Sequence, residues 1–181
     1  GFLSEDLNSL CRWIKDSTDN LLNNSEYNVK AINFSTYGAS LVHLDVNGEV
    51  IAPFYNYLKP FPEKLKSEFF KKHGGEMDFS LATSSPFMGF LNSGLQLYYL
   101  KYAKPEIFKN LHRSLHFPQY LSYLFTGKFT SEYTSLGCHT GLWDFENDSF
   151  AEWVKAEEFE KQLSPIQTIS KVFQTTVNGK S

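Results

Sequence analysis

The sequence predicts an α/β domain with a large helical insertion. Three observations carry this: an amphipathic helix opens the chain, two apolar runs flank Asn47-Gly48, and the remainder of the chain is mainly helical in pattern.

Ser4 to Leu22 is the opening helix. Ser4 suits its cap, Glu5 and Asp6 suit its positive end, and Leu7, Leu10, Cys11 and Ile14 share one face. Asn23 and Asn24 stop it. Val29 to Thr36 alternates like a strand, and Leu41 to Val46 is a second. Asn47-Gly48 then turns the chain back along Glu49 to Ala52, because both turn residues tolerate positive φ. Thr36-Tyr37-Gly38-Ala39-Ser40 is a small-residue turn between the first two strands. Pro62 to His73 is a charged amphipathic helix ending at Gly74-Gly75. Leu91 to Tyr102, Pro105 to Leu111 and Pro118 to Phe125 come next as helices, the last closed by Gly127. Thr130 to Phe145 mixes Ser, Thr, Gly, His and Trp without a clear period. Phe150 to Gln162 is the final helix, and Val172 to Gly179 opens another hairpin. That hairpin has no returning strand, so the sequence reads as an incomplete unit.

Composition narrows the function. The 181 residues are 41% hydrophobic and 20% charged, enough for a packed core. The 17 Phe, 10 Tyr and 3 Trp argue against disorder and suit either a core or flat surfaces for a sugar ring. A formal net charge of −3 gives no electrostatic footprint for nucleic acid. No apolar run approaches the roughly 20 residues of a membrane helix, and the start is unlike a signal peptide. Cys11 and Cys138 read as reduced, buried thiols, the three Asn-x-Ser sequons as chance, and the protein as cytoplasmic.

The common catalytic signatures are absent: there is no phosphate-binding Gly-rich loop, His-Glu-x-x-His or Cys-x-x-Cys. Cys138-His139 is adjacent in sequence, which does not bring a nucleophile and its base together in space. His112 and His116 have i, i+4 spacing, but Pro118 and the lack of a nearby carboxylate argue against a metal pair. No metal ligands are assigned.

An ordered series of segments is more specific. Ile32 to Asp45, then Asn47-Gly48 and Pro53, form a run of strand, turn, strand, Asp-x-x-Gly and Pro. Tyr99-Leu100-Lys101 precedes Lys104-Pro105-Glu106, and Tyr120-Leu121 precedes Phe125-Thr126-Gly127. Glu132-Tyr133-Thr134-Ser135, Thr140 to Phe145 and Trp153 complete the set. In this order the segments resemble the FGGY family of carbohydrate kinases over nearly the whole chain. Thr36-Tyr37-Gly38 is similar to the turn of its L-fuculokinase and rhamnulokinase branches.

The resemblance implies an actin-like, ribonuclease-H-type domain, here a partial N-terminal sugar-binding domain over residues 1–181. It implies that the family's N-terminal phosphate hairpin and C-terminal nucleotide domain lie outside the chain. The catalytic base Asp is then expected beyond Ser181, so no catalytic residue is assigned; Asp6, Asp45, Asp78 and Asp144 are poor candidates. The implied substrate is a small sugar, a ketose or related sugar of the rhamnulose, fuculose or xylulose kind. The intact enzyme would use ATP and Mg and is compatible with a homodimer, whereas this portion alone would bind neither cofactor and be inactive.

The implied substrate-binding residues are Thr36, Tyr37, Gly38, Tyr57 and Lys59. Their chemistry agrees: an aromatic face meets C–H groups, Gly permits close approach, and hydroxyls hydrogen-bond. From the residues alone, the turn is also readable as a tight connector with a buried Tyr37. Tyr55-Asn56-Tyr57-Leu58-Lys59 departs from the family's Trp-x-Asp-x-Arg: the acid is gone, and Lys lacks the planar fork of Arg. Two other classes remain open: a sugar-sensing or scaffold relative without catalysis, and an unrelated, all-β carbohydrate-binding module.

Overall fold

The computed structural model describes residues 6–168 and 170–175. Its first element, α1, spans Leu7–Asn23, with Asp6 at the cap accepting the Ser9 amide at 3.0 Å. Ser4, the expected cap, lies outside the described residues. Leu7 is buried, with Leu10, Cys11 and Ile14 packed against the same cluster, as their spacing predicts.

Residues 29–36 do not form the expected strand. Phe34 stacks on Phe125 at 5.4 Å, while Val29 and Ile32 stay exposed. Alternation supplies a face to bury; a strand also needs a neighbouring edge to pair with.

The second expected strand does form. β1 (Leu41–Leu44) is buried throughout and pairs antiparallel with β2 (Arg113–His116), placing Leu41 opposite His116 and His43 opposite Ser114. Leu41 joins the larger core with Phe69, Phe90 and Trp153. Val42 and Leu44 join a smaller one with Phe54, Leu115 and Phe117. β2 escapes sequence reading because its partner lies about 70 positions earlier in the chain. His112 therefore precedes the strand and His116 ends it, and the two do not share a helix face.

The Asn47-Gly48 turn is present, with Gly48 at φ 82°. The Asp45 amide donates to the Glu49 carbonyl and the Ile51 amide to the His43 carbonyl, both at 3.0 Å. The returning strand is reduced to a single bridge, Leu44 to Val50.

The helical insertion comprises α2 (Glu63–His73), α3 (Glu76–Thr83), α4 (Gly94–Ala103), α5 (Pro105–Phe108) and, after β2, α6 (Phe117–Thr126). α2 ends at Gly74 and α6 at Gly127, both at positive φ, as expected. α3 had no separate signal, and a 3₁₀ turn at Gly89–Leu91 precedes α4.

The mixed segment after α6 resolves into β3 (Ser131–Glu132), α7 (Tyr133–Gly137) and β4 (Trp143–Asp144), succeeded by β5 (Ser149–Phe150). β4 pairs with β5, and β3 runs parallel to β6 (Ile166–Gln167). The expected helix over 150–162 is broken into α8 (Glu152–Ala156) and a 3₁₀ turn at Phe159–Lys161. Between them Glu157 turns inward and Glu158 adopts φ 59°. Of the expected last hairpin, residues 172–175 carry no strand and the remainder lies outside the described residues. Both cysteines are free as expected, but neither is buried: Cys11 is partly exposed and Cys138 exposed.

Candidate functional site

The turn at 36–40 is tied at its end to β1 and to the 54–59 segment. Ser40 Oγ donates to the Tyr55 carbonyl at 2.7 Å, and the Phe117 amide donates to the Ser40 carbonyl at 3.2 Å. These ties bring the start of α6 against the turn.

Tyr37 is consequently surrounded by rings. Its centroid lies 5.4 Å from Phe117, 5.9 Å from Tyr57 and 6.1 Å from Phe54. Tyr37 nevertheless keeps 40% of its surface exposed, so the ring is a supported wall rather than core. Thr36 Oγ1 donates to the Tyr37 carbonyl at 3.0 Å.

Gly38 differs from expectation in one respect. A Cβ added there meets nothing within 4 Å, and its φ is not left-handed, so the turn itself does not require glycine.

The structure divides the five expected residues. Tyr37 and Tyr57 pack together, with Thr36 and Gly38 beside them in the chain. Lys59 is 5% exposed, and its Nζ sits 5.6–5.8 Å from the centroids of Tyr55, Phe90 and Tyr99. Burial, with a smaller contribution from Lys104, pushes its ammonium below its ordinary pKa. Phe54 and Phe117 were missed because an aromatic in an apolar run gives no local sign of which ring it will meet.

Three of the four aspartates set aside as bases are held in local hydrogen bonds. Asp45 accepts the Asn47 and Glu49 amides at 2.8 and 2.9 Å. Asp144 accepts those of Glu146 and Asn147 at 3.0 and 3.1 Å. Asp6 caps α1. Two serine–histidine pairs, His43 Nδ1 with Ser114 Oγ and His116 Nε2 with Ser93 Oγ, each span 2.8 Å. All four residues are buried, out of reach of a substrate. Among the described residues no three His, Cys, Asp or Glu side chains converge to hold a metal. No helix among them is long and apolar enough to cross a membrane.

Comparison with known proteins agrees with this architecture. The chain is 28% identical over 139 residues to a rhamnulokinase of Oceanobacillus iheyensis, covering 74% of this chain and 28% of that protein. A crystal structure of a carbohydrate kinase from Novosphingobium aromaticivorans superposes with a TM-score of 0.78 at 27% identity, over 91% of this chain and 34% of that one. Glycerol kinase of Plasmodium falciparum, solved with ADP, shares the fold at 17% identity and a TM-score of 0.72, over 93% of this chain and 35% of that one. The chain thus spans about a third or less of the length of these relatives. The fold is the α/β, actin-like one of their N-terminal domain. Residues 1–178 match the model of the FGGY family of carbohydrate kinases, N-terminal domain. A match over nearly the whole chain, on the fold just described, places it in one family: it belongs to the FGGY carbohydrate kinases, in the portion occupied by their N-terminal domain.

Proposed function

We propose that this chain is the sugar-binding part of a cytoplasmic, ATP-dependent kinase for a ketose of the rhamnulose, fuculose or xylulose type. The supporting observation is the Tyr37 wall: one partly exposed ring held by Phe54, Tyr57 and Phe117. An apolar face of a sugar would lie on Tyr37, with Thr36 and the phenol of Tyr57 offering hydrogen bonds at its edge. Gly38 would let the ring approach the main chain, and Lys59 would support the segment carrying Tyr57. The protein's task here is binding and orientation, which is most of what phosphoryl transfer asks of a sugar site. The base and the Mg-ATP site belong, in this reading, to the rest of the intact enzyme.

In the intact enzyme, Tyr37→Ala should raise the sugar KM by an amount worth about 1–3 kcal/mol while leaving that of ATP nearly unchanged. Tyr37→Phe should keep most of the affinity. Steady-state kinetics beside a thermal melt checks this; an unchanged sugar KM in a well-folded Tyr37→Ala enzyme would retire the wall. The present chain, given Mg-ATP and L-rhamnulose, L-fuculose or D-xylulose, should release no ADP above background in a coupled assay. Sugar-dependent turnover would show that the catalytic groups lie within these residues. Sugar binding without turnover by the intact protein would favour a sugar-sensing relative.

A further inference from the structure

We infer that Gln96 is a positioning residue for the Tyr37 wall, holding the sugar turn from behind; this rests on the sugar-site reading above. Three polar side chains at the start of α4, Asn92, Ser93 and Gln96, are completely buried. Each spends its hydrogen bonds on a different segment around the site.

Gln96 grips the turn. Its Oε1 accepts the Leu41 amide at 3.2 Å, and its Nε2 donates to the carbonyls of Ala39 at 2.9 Å and Phe90 at 3.1 Å. Ala39 and Leu41 lie just beyond Tyr37-Gly38, so both ends of the carboxamide act on the exit of the turn. Asn92 does the same for the preceding loop: it accepts the Met88 amide at 2.6 Å and donates to the carbonyls of Pro86 at 3.1 Å and His139 at 2.8 Å. Ser93 bonds His116, the residue before Phe117. Two of the wall's four rings, Tyr37 and Phe117, therefore stand on segments that this buried cluster holds.

A residue needed only for packing would be apolar here. An apolar side chain of the same volume would leave two carbonyls and one amide buried without these partners, and the main chain would shift to regain them. Because sugar affinity depends on ring placement, a small shift of the turn is read directly as lost binding.

The test compares the wild-type chain, Gln96→Met and a control, Leu163→Ala, which truncates a buried core residue. Calorimetric titration with L-rhamnulose, L-fuculose and D-xylulose is combined with amide hydrogen exchange on the same samples. Gln96→Met should weaken sugar binding about tenfold or more and speed exchange over residues 37–41. Leu163→Ala should lower the melting temperature without doing either. If Gln96→Met does not fold, Gln96→Glu, which keeps the acceptor for Leu41 but loses both donors, takes its place. Wild-type affinity and exchange in the Gln96 variant, or an equal affinity loss in the control, would overturn the inference. If the wild-type chain binds none of the sugars, the sugar reading fails separately, and exchange over 37–41 alone decides whether Gln96 positions the turn.

Discussion

Replacing Glu157 by alanine should destabilise the domain by about 2–4 kcal/mol, because it removes the buried anion of an ionic cluster whose lysines are partly exposed. The side chain is fully buried and receives four donors. Lys72 Nζ and His73 Nε2 reach Oε1 at 2.6 and 2.8 Å, and Lys101 Nζ and Tyr102 Oη reach Oε2 at 2.6 and 2.9 Å. Lys101 also donates to the Glu157 carbonyl at 3.1 Å. Burial alone would push the carboxyl up; the hydrogen bonds from Lys101, Lys72, Tyr102 and His73 outweigh it and hold the pKa down at about 2. Burial in turn lowers His73, so its ring donates Nε2–H as the neutral form. The cluster ties α2, α4 and the end of α8 together, and its loss leaves two ammonium groups facing each other. The melting temperature should fall by about 4–16 °C for a domain of this size. Denaturant unfolding of Glu157→Ala against wild type checks the magnitude; a loss below about 1 kcal/mol would mean that solvent already screens the cluster.

Acid should weaken the domain before its carboxylates titrate. His43 and His116 are buried and neutral: burial pushes their pKa values from 6.5 down to about 3 and about 4. Well above pH 6.5 neither the folded nor the unfolded state holds a proton on them, so they add no pH dependence there. Below 6.5 the unfolded chain takes up protons that the fold refuses, and stability falls until the pH reaches the folded values. At pH 5 each histidine costs about 2 kcal/mol relative to pH 7.5, about 4 kcal/mol together. Glu157 adds a further loss only as the pH drops below its ordinary 4.5 toward about 2. Urea midpoints at pH 7.5, 6 and 5 measure the slope. The double variant His43→Gln, His116→Gln should flatten it while remaining less stable at pH 7.5, since each glutamine must replace a bond to Ser114 or Ser93. A wild-type midpoint that does not move between pH 7.5 and 5 would mean that both rings protonate inside the fold.

What the sequence determined by itself is what short-range chemistry controls. The opening helix, the Gly74 and Gly127 stops and the Asn47-Gly48 turn are written in periods and left-handed residues a few positions apart. The order of the motifs was legible too, and it led to the family. Tertiary structure decided whatever depended on a distant partner. Residues 113–116 become a strand only because β1 presents an edge, whereas 29–36, with the better alternation, meet none. The helix expected over 150–162 breaks because Glu157 is drawn into lysines more than 50 residues earlier in the chain. Tyr57 and Lys59 are two positions apart, yet one joins the Tyr37 wall and the other lies among Tyr55, Phe90 and Tyr99. Gln96 gave no sign at all, since a polar residue on a helix is ordinarily solvated, and only burial against two carbonyls and an amide turns it into a clamp. Local signals specify which conformations a segment can adopt; which surface it meets is settled by packing, where the free energy of burial is collected.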